Sequence, residues 1–400
     1  MDELLTAVSS RLKRRIATSC NLLTTGFAFS ETLGILEPLV VVLDTSCLKE
    51  SVMDHCPECD SFDAEVVSRR HFVQAAGIAA AAATVMPAVA RADEPAKATS
   101  ETLVKKLYDS LTPAQKEEVC FDWDYKDDRG LLRMHVSNNW SITDQRVAGG
   151  FFTKDQQDII EAVFWGLYSP DWHDRIKKQL KDDAGGYGKE QSIAIFGQPG
   201  TAKFEFVMTG RHLTIRADGN SVDHAAFGGP IFYGHAASGF NETVGHPGNV
   251  FWYQAQTANG LFKMLDGKQR EQALSAKAPP EAKVHFGGPD GKPTGILVSE
   301  LSADQKAHAQ KVLSALIEPY RTADQDEVRK CLTAQGGLDK CRLAFYRTDA
   351  AGNADLGDDG EWDNWRLEGP SFVWHYRGMP HVHVWANIAD DPSVKITAKG

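Results

Sequence analysis

A dense cysteine framework, a surplus of positive charge, long apolar runs and nucleotide-binding glycine patterns are all missing from this chain of 400 residues. Its seven cysteines are scattered, with no C-x-x-C…C-x-x-C zinc spacing and no C-x-x-C-H haem attachment. That excludes a disulfide scaffold and a thiolate metal knot. The formal net charge is −11, without a basic stripe or arginine-rich tail, so no nucleic acid is expected as a partner. The apolar stretches Leu33 to Leu43, interrupted by Glu37 and Pro38, and Ala75 to Val89, rich in alanine, are too short to span a bilayer. No stable membrane anchor is expected. No glycine-rich run follows a strand and opens a helix with phosphate-binding spacing, and no G-x-S-x-G elbow occurs. A hydrophobic content of 42% can nevertheless bury a large core.

What is present begins with an address. Ser68-Arg69-Arg70-His71-Phe72-Val73 has the form of a twin-arginine export motif, and the weakly apolar run behind it ends at small-residue cleavage options, Ala88-x-Ala90 and Ala90-x-Ala92. Residues 68–92 are expected to be a signal peptide read by the twin-arginine export machinery. Residues 1–67 are then a leader, with Met53 as an alternative start. The destination is periplasmic or extracellular. This route carries proteins already folded, often around an inserted cofactor, which favours a tightly held metal or a redox role. In an oxidising compartment Cys331 and Cys341 can close a disulfide around a short glycine-containing loop, leaving Cys120 as a buried thiol. The lone C-x-x-C, Cys56 to Cys59, falls in the part expected to be removed.

Beyond Leu103 the chain reads as a single domain to residue 400. Four capping boxes announce helices: Thr112-x-x-Gln115, Thr153-x-x-Gln156, Ser302-x-x-Gln305 and Thr322-x-x-Gln325. Short strands are expected over Ser192–Phe196, Phe204–Met208 and His212–Arg216, and again over Arg342–Arg347, Trp365–Leu367 and Phe372–Tyr376. Because helices and strands segregate, the class is α+β, an antiparallel sheet packed with several capped helices. The acidic segment Asp349 to Asp363 reads as a solvated loop, since its carboxylates miss the positions of a calcium-binding loop.

Histidine is concentrated in two places. In Gly369–Asn387, GPSFVWHYRGMPHVHVWAN, apolar residues alternate with polar ones as in a half-buried strand pair turning at Arg377 to Pro380. His381 and His383, two apart, share one side of such a strand, and His375 can lie across the hairpin. Between Gly210 and Gln256 stand His212, His224, His235 and His246 with Asp223 and Glu242, so that four of the chain's 13 histidines fall within 47 residues, a local excess. Glycines around them suggest turns on which side chains converge. Three or four imidazoles complete the ligand set of a transition metal, copper, zinc or iron. His212, His235, His246, His381 and His383 are the expected metal ligands, with Glu242 and Asp223 as proton-moving carboxylates. Phe232, Tyr233, Trp252, Trp374 and Trp385 suit a dry pocket wall, or simply a core.

Three motifs, Tyr108-Asp109-Ser110-Leu111-Thr112-Pro113-Ala114-Gln115, Gly210-Arg211-His212-Leu213 and the closing G-P-S-F-x-x-x-Y…H-x-H-V-W from Gly369 to Trp385, resemble the domain of unknown function 3500 family. The resemblance runs from about Leu103 to the C-terminus. It implies one domain with His212, His381 and His383 among its motifs, and it implies no reaction. Family members commonly carry His-His where this chain has Arg211-His212. The expected function is a metal-dependent oxidoreductase or hydrolase acting on a small-molecule substrate; the alternative is a non-catalytic protein binding a metal or small-molecule ligand.

Overall fold

The structure is a computed structural model that describes residues 99–219, 222, 224–236, 248–353 and 360–400. The leader and signal peptide expected over 1–92 lie outside the described residues. Helices α1 Ser100–Ser110, α2 Pro113–Val119, α3 Lys154–Gly166 and α4 His173–Ala184 precede the first large group of strands. Helices α5 Trp252–Met264, α6 Gly267–Ala273, α7 Ala303–Ile317 and α8 Thr322–Ala334 precede the second. The class is α+β.

Three of the four expected capping boxes form, at Thr112, Thr153 and Ser302. In the first two, Gln115 Nε2 also donates to Gln156 Oε1 at 2.9 Å, so residues that close their own helix ends join α2 to α3. The fourth box does not form. Arg321 occupies the cap of α8, and Thr322 is already inside the helix. A further box, Asp266 with Gln269, opens α6 with a carboxylate in place of a hydroxyl.

The main sheet has eleven strands, numbered here along the chain: β1 Cys120–Phe121, β2 Ser192–Gly197, β3 Phe204–Gly210, β4 Leu213–Ala217, β5 Ile231–His235, β6 Leu274–Ser275, β7 Ile296–Leu297, β8 Arg342–Tyr346, β9 Asn364–Gly369, β10 Phe372–Arg377 and β11 Val382–Ile388. The spatial order is β1-β2-β3-β4-β5-β11-β10-β9-β8-β7, with β6 also against β8. Within this sheet, among the described residues, only β1·β2 and β6·β8 run parallel. The sheet is thus two antiparallel meanders, β2 to β5 and β8 to β11, joined where β5 lies beside β11.

Both faces of this sheet are covered. Tyr233, Val382, Val384, Trp374 and Tyr376 join helical residues such as Ile160, Phe164 and Leu316 in the main core. Their neighbours along the strands, Phe232, Trp385 and Val373, pack on the other side with Val136 and Val284. The closing strand pair is therefore not half-buried as expected: β11 is buried along its whole length, because the segments bearing Val136 and Val284 roof its second face. The roof is pinned by an ion pair. Arg216 lies 3.0 Å from Glu205, both fully buried, and donates to the carbonyls of Arg133 and, at 2.8 Å, His135.

Cys331 and Cys341 are buried free thiols, each pushed up to about 12 by burial, and not the expected disulfide. They face different neighbours: Cys341 Sγ abuts Gly369, whereas Cys331 lies near the backbone of Ala226. Cys120 is only half-buried. Among the described residues no helix is long and apolar enough to cross a membrane.

Candidate metal centre

The junction of the two meanders gathers three of the histidines. His383 stands on β11, opposite Arg377 of β10 on one side and Gly234 of β5 on the other. His381, two residues earlier, lies just before β11 begins and still reaches the His383 ring. His212 is not in a strand but in the two-residue turn Arg211-His212 between β3 and β4. Its φ of 48° is left-handed, a conformation that costs a residue with a Cβ on the order of 1 kcal/mol. Its N–H donates to Asn139 Oδ1 at 3.0 Å, which helps hold the turn. Gly234 separates the turn from His383. A Cβ there would lie 2.1 Å from the Val382 carbonyl oxygen, so the close approach of β5 and β11 at this point requires glycine.

The imidazoles meet through their Nε2 atoms. His212 Nε2 lies 3.1 Å and His381 Nε2 2.9 Å from His383 Nε2, and the ring centroids are 4.6 to 5.0 Å apart. Two nitrogens bound to one zinc-sized ion at about 2.05 Å and a tetrahedral angle are roughly 3.3 Å apart. The observed spacing is close to that of a shared ion, and the three can hold one.

Two carboxylates fix how the rings are protonated. His212 Nδ1 pairs with Asp183 in the last turn of α4, and His383 Nδ1 lies 3.1 Å from both oxygens of Glu281. A carboxylate can only accept, so each neutral ring carries its proton on Nδ1. The lone pairs on Nε2 of His212 and His383 therefore point at each other across 3.1 Å. A cation between them removes the repulsion. Burial holds all three rings in the neutral, metal-binding form: His383 is pulled down to about 4 and His381 to about 3, and burial outweighs Asp183 to lower His212. Burial works against the charged form of Asp183, yet its hydrogen bonds with His212 and Arg211 leave its pKa lowered. Glu281 is likewise lowered: burial opposes its charge, and His383 and Arg377 outweigh it. Each carboxylate has an arginine behind it, Arg211 Nε 2.9 Å from Asp183 and Arg377 Nε 2.9 Å from Glu281. Phe232, 5.2 Å from the His383 ring, and Trp385 beyond it keep this side dry.

The other expected residues fall elsewhere. His235 pairs in register with Val382, which puts it on the opposite side of the sheet from His383, and its Nε2 lies 3.3 Å from Asn249 Oδ1. His375 does lie across the hairpin, but opposite Trp385; Arg366 Nε donates to its Nδ1 at 3.2 Å. His224 bonds Asp390 at 2.7 Å, away from this group. His246, Glu242 and Asp223 lie outside the described residues. The sequence reading missed Asp183 and Glu281. A carboxylate in the last turn of a helix, where the dipole disfavours negative charge, was a usable signal for Asp183; nothing local marks Glu281.

No curated protein and no solved structure matches the chain. A family model does, over residues 93–384, and the three convergent histidines all lie within that span. The chain belongs to the family described as Protein of unknown function (DUF3500).

Proposed function

We propose that this protein is an exported metal-dependent enzyme in which His212, His381 and His383 hold one transition-metal ion, leaving a position for water or a small-molecule substrate near half-buried His381. The observation that carries the reading is the pair of opposed Nε2 lone pairs on His212 and His383, 3.1 Å apart with both Nδ1 atoms committed to carboxylates. Three imidazoles without a sulfur ligand suit zinc best, with copper or iron as the other candidates. A zinc ion would supply Lewis acidity and a water of lowered pKa, so the reaction class is hydrolysis; copper or iron would make it oxidation. Asp183 and Glu281 hold the imidazole tautomers and ring angles, as hydrogen-bond partners of metal-bound histidine commonly do. Export rests on the twin-arginine motif at Arg69-Arg70.

Metal analysis of untagged protein recovered from the periplasm tests the reading. About one equivalent of metal is expected in the wild type and none in a folded His383→Ala variant. Wild-type protein without stoichiometric metal, and unable to take up added zinc or copper, would remove the proposal. Replacing Arg69 and Arg70 together by lysine is expected to leave the uncleaved precursor in the cytoplasm, read by fractionation.

A further inference from the structure

The turn that carries His212 has a second side. Behind it lies a cleft of about 400 Å³, within the size range of small-molecule sites, lined by Asn139, Trp140, Arg146, Asp183, Glu190 and Arg211 among others. Three of these residues also support His212: Asn139 accepts from its N–H, Asp183 holds its Nδ1, and Arg211 holds Asp183. Asp183 has no acceptor capacity to spare. One oxygen takes His212 and, at 3.4 Å, Gln179 Nε2, and the other takes Arg211 Nε at 2.9 Å and the Ala236 N–H at 3.3 Å.

Arg211 is used differently. Only its Nε is engaged, and among the described residues no protein acceptor takes its two terminal nitrogens, although they belong to a side chain about one-third exposed on the cleft wall. A guanidinium pinned at Nε and open at both ends is a preformed fork for a planar anion. Arg146, on the same cleft, is oriented by Ser141 Oγ at 2.5 Å and the Glu190 carbonyl at 2.9 Å, while Glu190's carboxylate stays 3.9 Å away. The Trp140 indole is fixed by donating to Thr214 Oγ1 at 2.9 Å.

We infer that this cleft binds a small carboxylate-bearing molecule through the Arg211 fork, with Arg146 as the second cation, and that its occupancy is linked to metal affinity through Arg211, Asp183 and His212. The linkage rests on the metal reading above; the cleft site does not. A carboxylate on the fork draws positive charge away from Asp183, which makes Asp183 a stronger acceptor and His212 a better donor to a metal. The ligand's own negative charge acts in the same direction. Coupling is therefore positive, and by reciprocity the metal tightens the ligand by the same factor.

The probe is succinate, titrated calorimetrically into metal-free and zinc-loaded full-length protein. Saturable binding is expected in both, weakened about tenfold or more by Arg211→Met and less by Arg146→Met on the other part of the cleft wall. Arg211→Lys, which keeps the charge and loses the fork, is expected to behave like Arg211→Met. Saturating succinate should tighten zinc about fivefold in the wild type, and the same succinate concentration below saturation should tighten it less in Arg146→Met, which binds succinate more weakly. Absence of saturable binding, or equal binding by wild type and both arginine variants with unchanged melting temperatures, overturns the site. Succinate bound through Arg211 with zinc affinity unmoved overturns the linkage. Succinate binding in a protein that takes no zinc supports the cleft site, and sinks the linkage together with the metal reading.

Discussion

The two faces of the central sheet are built from the same strands and do different work. On β11, Val382 and Val384 enter the helix-covered core while His383 and Trp385 face the roof. On β10, Trp374 and Tyr376 enter the core while His375 and Arg377 face the roof. The apolar face is stabilised by area removed from water, roughly 25 cal/mol per Å². The roofed face buries ionic and hydrogen-bonding groups instead, and each of these needs a placed partner. One face tolerates similar shapes, whereas the other tolerates little change of chemistry. A slip of one residue in the pairing of β5 with β11 would exchange the two sets and send His383 into the core.

The sharpest way to break this division is to cut each face at its centre. Trp374→Ala on the apolar face, fully buried with its Nε1 donating to Tyr233 at 3.1 Å, is expected to lose roughly 3–5 kcal/mol in denaturant titration while the folded fraction keeps its metal. Arg216→Met on the roofed face is expected to lose a comparable 3–5 kcal/mol, because Glu205 is left buried with only Arg133 at 3.8 Å. Full stability in Arg216→Met would mean that the ion pair does not hold the roof. Next in size, Asp183→Asn is expected to weaken zinc binding about 10–100-fold with little change in melting temperature, measured by competition with a chromogenic chelator. If Trp374→Ala also loses its metal, the two faces are not separable.

The smallest effect is a pH slope under the helices. Burial, together with nearby Asp218 and Asp324, holds the Glu327 carboxyl up at about 7 although the Phe227 N–H donates to it. Its folded pKa exceeds the unfolded value of about 4.5, so the folded chain binds this proton more tightly. That stability is fully present below about pH 4.5 and is lost as pH rises to about 7. Glu327→Gln, which keeps an acceptor for Phe227, should remove this residue's share of the slope, leaving the shares of Asp324, which burial holds up at about 6, and Glu205, at about 8, and gain on the order of 2 kcal/mol over wild type at pH 8. A slope of unchanged size in the variant would assign it to another group.

Local features were legible in the chain wherever their causes lie within a few residues. Thr112, Thr153 and Ser302 cap helices because their glutamines stand three positions on. His381 and His383 stand close because they are two apart at the start of β11. Elsewhere a non-local contact decides. Thr322 has its glutamine in place, yet the backbone starts α8 one residue early, where the Arg321 N–H donates to the distant Leu167 carbonyl at 3.0 Å. His235 looked as good a ligand as His212 in sequence, and only the strand register separates them. Asp183 and Glu281 lie 29 and 102 positions from the histidines they orient, so no local pattern could pair them.

The amino-acid sequence alone determined the α+β class, three of the helix starts, six of the strand segments and the closeness of His381 to His383, since each follows from sterics and hydrogen bonds between near neighbours. Tertiary structure alone decided that His212 meets His383 across 171 positions, by laying the last strand of one meander against the last strand of the other at a glycine. Pairing of distant edges depends on the whole packed sheet, and the same contact decides which histidines face a shared point and which are turned into the core.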